Sequence, residues 1–380
     1  MLKVKYDEDE IMLRVLHFIP GFNIGGVESL IMSLYRHIDK SKIQFDFLVE
    51  TQEWLQEFTS IENLGGKVIQ INALKKSKPI AYILQIQRFF KQYGRNYQVF
   101  HCHNMERGVV ALYYAKKYQI KNRIFHAHTD SFTGVNYESL VKLLVRIDNK
   151  LSTHYLACSI AAGEFQFKNS NKTFTVLKNA IDTDLFRFSP AKQKAIREEL
   201  KLEMAFVIGH TGRFTYAKNH KRIIAIFNQV YQKLPRAHLL LIGDGPIRPL
   251  IEEEVENLGL TDAVTIMGSQ NDIAKYLHCM DVFLLPSFFE GFCISLLEAQ
   301  SIGLPCIVSD IIPKEVKVTK LIKEHGLNEP NKNWANSIIN LQNYIRKNHH
   351  NDIIRRGYDA SDNSKWLIEY YFNIVKESLD

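Results

Sequence analysis

The sequence is poor in the features that mark secreted, metal-built and membrane-spanning proteins. Its five cysteines, Cys102, Cys158, Cys279, Cys293 and Cys306, are scattered, odd in number and never spaced as CxxC. That excludes a disulfide framework and a thiolate zinc site, and it suits a reducing cytosol. No window approaches the roughly 20 apolar residues that a transmembrane helix requires. The run Ile11–Pro20 is short, follows an acidic stretch and contains Arg14 and His17, so no secretory signal is expected. There is no G-x-G-x-x-G fingerprint, which argues against a nicotinamide site. Internal repeats, low-complexity tracts and nucleic-acid-binding motifs are also missing, so nucleic acid is not an expected partner.

What is present describes a globular protein of two middling domains. The 380 residues are 46% hydrophobic and 23% charged, a balance suited to substantial cores. The net charge of +7 is uneven: residues 1–180 hold 24 Lys+Arg against 16 Asp+Glu, leaving 24 against 25 for residues 181–380. A basic surplus confined to one half points to an anionic partner.

Short apolar runs alternate with helix-periodic stretches. Strands are expected at Leu13–Ile19, Phe45–Val49, Lys67–Ile71, Tyr97–His101, Arg123–His126, His154–Cys158 and Phe174–Leu177. After a break near Asn179–Pro190 the pattern resumes at Ala205–His210, His238–Ile242, Val264–Met267, Val282–Pro286 and Pro305–Ser309. Such alternation gives βαβ units and parallel sheets. The expected fold class is α/β, with two Rossmann-like doubly wound domains facing across a cleft. The boundaries are 1–180 for the first domain and 181–360 for the second, with a C-terminal helix at 361–380.

The most specific chemistry lies in Pro286–Gln300, PSFFEGFCISLLEAQ. A buried strand runs into a loop carrying Glu290 and Gly291, and a helix beginning near Cys293 holds Glu298. Gly291 permits close backbone approach, and the amides of Phe292, Cys293 and Ile294 stand free at a helix start that attracts phosphate. Glu298 suits the hydroxyls of a ribose and Glu290 those of a sugar. In Gly209–His220, GHTGRFTYAKNH, Arg213 and Lys218 offer fixed cations for a departing diphosphate. Gly25 and Gly26 open the first helix as a phosphate or acceptor loop.

Two H-x-H pairs, His101/His103 and His126/His128, fall at strand ends. Four imidazoles invite a zinc reading, but no carboxylate or thiolate pattern completes a catalytic metal site, and neither metal nor cofactor is expected. Asp182-Thr183-Asp184 sits in the linker rather than after a nucleotide-binding strand and reads as structural. Basic Lys75, Lys76, Lys78, Arg88, Lys91 and Arg95 flank an apolar helical stretch, a pattern that suits an anionic membrane surface.

With Glu290 and Glu298 at its two ends, the Pro286–Gln300 segment resembles the E-x7-E motif of the family 4 glycosyltransferases of GT-B fold. Ala299–Asp310, the G-R-x(n)-K-N pattern at Arg213–Asn219 and the G-G-x-E loop resemble the same family, especially its capsular and exopolysaccharide enzymes. The resemblance implies a hexosyltransferase-type enzyme that retains anomeric configuration without metal. It implies that Glu290 contacts the donor sugar, Glu298 the ribose, Arg213 and Lys218 the diphosphate, and a histidine, His126 or else His128, the transferred sugar. A UDP-linked donor, a lipid-linked saccharide acceptor and a cytoplasmic enzyme peripheral to the inner membrane face are the accompanying expectations. A nucleotide-sugar epimerase of the same fold, a non-catalytic partner subunit and a nicotinamide oxidoreductase are the alternatives.

Overall fold

The computed structural model describes residues 12–19, 26–50, 55–74, 79–104, 107–129, 138–168 and 172–379. They divide into two compact units, Met1–Ala180 with Ala360–Asp380, and Ile181–Asp359.

The first unit runs β1 (Leu13–Ile19), α1 (Gly26–His37), β2 (Ile43–Val49), α2 (Leu55–Asn63), β3 (Val68–Gln70), α3 (Pro79–Tyr93) and β4 (Val99–Cys102). It continues through α4 (Gly108–Lys117), β5 (Asn122–Ala127), α5 (Glu138–Leu151), β6 (His154–Ala157), α6 (Ile160–Phe167) and β7 (Thr175–Val176). The strands pair in parallel in the order β3-β2-β1-β4-β5-β6-β7. β1 and β2 are almost wholly buried, polar Gln44, Asp46 and His17 included, as strands of a parallel sheet covered on both faces are.

The second unit runs α7 (Pro190–Leu200), β8 (Phe206–Thr211), α8 (His220–Tyr231), β9 (Ala237–Ile242), α9 (Arg248–Asn257), β10 (Val264–Ile266) and α10 (Ile273–Cys279). β11 (Val282–Leu285), α11 (Ile294–Ser301), β12 (Cys306–Ser309), β13 (Ile322–His325), α12 (Asn331–Ile339) and α13 (His350–Arg355) follow. Its parallel sheet has the order β10-β9-β8-β11-β12-β13. In both sheets the order reverses beside the first strand of the unit, the place where doubly wound proteins bind ligands.

The chain then returns to the first unit as α14 (Ala360–Glu377). Leu367, Tyr371 and Ile374 of this helix are buried among the β1, β2 and α1 side chains. Ser364 Oγ also donates to the Leu34 carbonyl oxygen at 3.0 Å.

Several elements escaped the sequence pattern. Ile322–His325 has the sequence IKEH and two exposed residues, so an edge strand carries no alternation to detect. Pro190–Leu200 buries only Ile196, which removes the helical period. It starts on Ser189, whose Oγ accepts the Lys192 N–H, with Pro190 in the first turn. The Asp182 carboxylate accepts the Leu185 N–H, and Thr183 Oγ1 donates to Asp359 Oδ2 at 2.5 Å, so this acidic triplet ties the ends of the second unit together. Of the basic helix residues, Lys75, Lys76 and Lys78 lie outside the described residues. Tyr82, Ile86, Phe89 and Phe90 turn into the core, while Ile80, Ile83 and Leu84 remain exposed.

Burial of Leu367 predicts that Leu367→Ala destabilises the first unit by about 2–5 kcal/mol, the usual cost of such a cavity. Urea unfolding followed by circular dichroism measures it, and an unchanged midpoint would show that α14 contributes no core.

Candidate active site

In the second unit two loops are sewn together at the carboxyl ends of β8 and β11. Asn219 caps α8 with left-handed backbone, φ 56°, and its Nδ2 donates to the Pro286 carbonyl oxygen at 3.0 Å. The Phe288 N–H donates to the Ala217 carbonyl oxygen at 2.8 Å, and Tyr216 stacks on Phe288 with centroids 4.9 Å apart. These ties bring Lys218 Nζ within 2.7 Å of both Glu290 carboxylate oxygens. Ser287 Oγ donates to the same carboxylate at 2.6 Å. The side chains of Lys218 and Glu290 are 18% and 7% exposed, so the pair is largely desolvated. Burial opposes the ammonium, but Cys293 and Glu290 outweigh it and hold the Lys218 pKa above its usual value.

Beside this pair, α11 begins without a side-chain cap on Cys293. The Leu296 and Leu297 amides donate to the Cys293 carbonyl oxygen, which leaves those of Phe292, Cys293 and Ile294 without an acceptor among the described residues. A Cβ at Gly291 would meet nothing within 4 Å, so a ligand can come close. Glu298 lies one turn further along α11, and desolvation raises its pKa to about 7.

Arg213 is exposed and has no ion-pair partner among the described residues. Its loop is rigid nonetheless. The Phe214 N–H donates to the Asp244 carbonyl oxygen at 2.8 Å, and a Cβ on Gly243 or Gly245 would lie 2.0 Å or 2.3 Å from the carbonyl oxygens of Gly212 or Phe214. A cavity of about 600 Å³ opens at the carboxyl ends of β12 and β13, lined by Asp310, Ile311 and Gly326–Pro330. None of Arg213, Lys218, Glu290 and Glu298 lines it.

In the first unit the described helix α1 starts at Gly26, whereas Gly25 lies outside the described residues. Glu28, two residues into α1, was not singled out from the sequence. Desolvation raises its pKa to about 7, matching Glu298, and its place in the glycine loop was the signal that could have found it.

Five histidines cluster on this unit, one more than the H-x-H pairs disclosed. Parallel register sets His17 of β1 beside His101 of β4, and strand alternation puts His101 with His103 and His126 with His128. Nδ1 of His17 is 3.0 Å from Nε2 of His103, and Nδ1 of His103 is 2.8 Å from Nε2 of His128. Nε2 of His101 is 3.2 Å from Nδ1 of His126, and Nδ1 of His101 is 2.6 Å from Tyr371 Oη. Burial, reinforced for the inner rings by neighbouring imidazoles, pushes every one of these pKa values down, to about 3 for His17 and His128. The rings are therefore neutral. His126 is 2% exposed, whereas His128 is partly open at the rim. The nitrogens of His17, His101 and His103, and those of His103, His126 and His128, come within 4.8 Å of one another. Such triads suit a metal ion, but here the facing nitrogens are engaged with one another.

Residues 24–185 match the family described as Glycosyltransferase Family 4, and residues 192–359 match Glycosyl transferases group 1. The chain is 34% identical to the putative glycosyltransferase EpsF of Bacillus subtilis (strain 168), over 96% of this chain and 97% of that protein. It is 26% identical, over 62% of each protein, to the UDP-Gal:alpha-D-GlcNAc-diphosphoundecaprenol alpha-1,3-galactosyltransferase of Escherichia coli. The crystal structure of Anabaena HepE in complex with UDP and glucose superposes with a TM-score of 0.73 at 16% identity, covering 97% of this chain and 99% of that one. Fold and site thus define an enzyme that transfers glycosyl groups on a GT-B scaffold. Within that class the chain belongs to the family 4 glycosyltransferases.

The raised carboxyls give a signed prediction. A carboxyl with a folded-state pKa of about 7, above its unfolded value, contributes stability below pH 4.5 that is lost as pH rises through 7. Glu298→Gln and Glu28→Gln should match the wild type near pH 4.5 and exceed its stability at pH 8 by roughly 1–3 kcal/mol each. Urea unfolding at the two pH values reads this difference, and a gap independent of pH would contradict it.

Proposed function

We propose that this enzyme moves a hexose from a UDP-linked donor to a lipid-linked saccharide, with retention of anomeric configuration and no metal. The observation that carries the reading is the desolvated Lys218–Glu290 pair beside the uncapped start of α11. As the glycosidic C–O bond to the diphosphate breaks, charge develops on the leaving oxygens. The Lys218 ammonium, the Arg213 guanidinium and the amides of Phe292, Cys293 and Ile294 are fixed donors for that charge, doing what a divalent cation does elsewhere. Glu290 then has two tasks, orienting Lys218 and accepting hydrogen bonds from donor-sugar hydroxyls. Glu298, once ionised, accepts from the ribose.

Two relatives support the finer parts. HepE binds UDP and glucose, and the Escherichia coli enzyme uses a UDP-sugar and a diphosphoundecaprenol-linked saccharide. A lipid-linked acceptor requires an approach to a membrane, and no described helix is long and apolar enough to cross one. The basic surplus of residues 1–180, with exposed Ile80, Ile83, Leu84, Leu140 and Leu143, supports peripheral attachment to anionic lipid. Within the cluster His128 is the partly exposed ring, whereas His126 is buried.

Thermal-shift screening of nucleotide sugars should identify the donor, because a ligand selective for the folded state raises its melting temperature. With that donor and an undecaprenyl-diphosphate-linked acceptor, Lys218→Ala should lower kcat about 100-fold, the usual worth of one electrostatic donor. Transfer unaffected by Lys218→Ala would refute the diphosphate role, and product NMR of the anomeric proton would decide retention. Vesicles containing phosphatidylglycerol should bind the protein at low salt and release it well above 0.15 M, where screening is short-ranged. Equal binding to neutral vesicles would remove the electrostatic component.

A further inference from the structure

The histidine cluster has a partner from the far end of the sequence. Tyr371 belongs to α14, yet its phenol reaches Nδ1 of His101 at 2.6 Å, and Nε2 of His101 faces Nδ1 of His126 at 3.2 Å. Tyr371, His101 and His126 are 0%, 1% and 2% exposed, so water cannot complete any bond that they leave open. We propose that Tyr371 and His101 are positioning residues that hold His126 in the tautomer with its proton on Nε2, which makes His126 a hydrogen-bond donor for substrate and not a base at that nitrogen.

The direction of the file follows from proton counting. A phenol has one proton to place, and Tyr371 has no other hydrogen-bonding partner among the described residues. If His101 donated to Tyr371 from Nδ1, the phenolic proton would be buried without an acceptor, a costly arrangement. The phenol therefore donates to Nδ1 of His101. A neutral imidazole carries one N–H, so the His101 proton sits on Nε2 and is donated to Nδ1 of His126. The His126 proton must then sit on Nε2, a buried nitrogen with no partner among the described residues. Burial supports each step, because it keeps the phenol protonated and all three groups neutral. The neighbouring file, His17–His103–His128, lacks such a terminal group, since Nε2 of His17 is itself unpartnered, and nothing in it selects one direction.

The consequence deepens the transferase reading and rests on it for its catalytic half. A donor at the carboxyl end of β5 suits an electron-rich sugar oxygen. The ring of His128, with its centroid 4.1 Å away, lies against His126 and would have to yield to such a ligand.

The direct test is long-range proton–nitrogen NMR on 15N-histidine-labelled full-length protein, which separates the two tautomers without any assay of activity. In the wild type His126 should be almost wholly protonated on Nε2. Tyr371→Phe preserves the ring packed edge-on against Phe45, and should let His101 and His126 populate both tautomers. In transfer assays the same variant should lower kcat about tenfold, the worth of one well-placed hydrogen bond. KM for the sugar nucleotide and the melting temperature should scarcely move. In a His126→Phe background, Tyr371→Phe should add no further loss of kcat.

An unchanged His126 tautomer in Tyr371→Phe would overturn the proposal whatever the activity. So would stoichiometric zinc in the purified wild type, found by mass spectrometry and lost in His101→Phe, because ligating nitrogens cannot carry the relayed protons. If the NMR result holds and no sugar nucleotide is turned over, the transferase reading fails and the relay stands.

Discussion

One ion pair organises the chemistry of the second unit. Lys218 and Glu290 are 72 residues apart, on loops leaving β8 and β11, and neither side chain has much water around it. A buried pair of this kind adds little stability by itself, because desolvation consumes most of the attraction, yet losing either member strands the other as an isolated charge. It is therefore tolerated where both charges are wanted. The pair fixes the ammonium beside the open amides of α11, and Ser287 fixes the carboxylate in turn. Each neighbouring tie, Asn219 to Pro286 and Phe288 to Ala217, keeps those loops from drifting apart.

The second unit keeps one charged pair, Lys218 and Glu290, with Glu298 near it raised by desolvation to about 7. The first unit clusters five histidines, four buried and His128 partly open, none of which keeps a charge at neutral pH, and desolvates Glu28 so that its proton is nearly balanced between states. A neutral imidazole array stores direction rather than charge, since each ring passes on the donor or acceptor character that it receives.

Much of this was legible from residues alone, and the exceptions have physical causes. β1 could be drawn to the residue because Leu13–Ile19 is apolar apart from Arg14 and His17. The loop chemistry of Glu290, Gly291 and Glu298 was readable because a strand, a glycine and a helix start occur in one short segment. The Lys218–Glu290 bond was not, since it depends on the order in which β8 and β11 are laid side by side. His17 and Tyr371 were invisible for the same reason. One lies in an apolar run that gives no sign of function, and the other is separated from His101 by 270 residues. β13 was missed because an edge strand with sequence IKEH has no hydrophobic rhythm.

The return of α14 has a consequence for how the polypeptide is made. On the ribosome, Ile181–Asp359 is synthesised as an uninterrupted stretch, before any residue of α14. The earlier half must wait, because Leu367, Tyr371 and Ile374 emerge only after the whole of Ile181–Asp359 and they close its apolar surface. The portion made first is thus finished last. A premature stop shortly before Ala360 would release a chain whose later half is whole and whose earlier half exposes an unfilled groove, an evident target for chaperones and proteases.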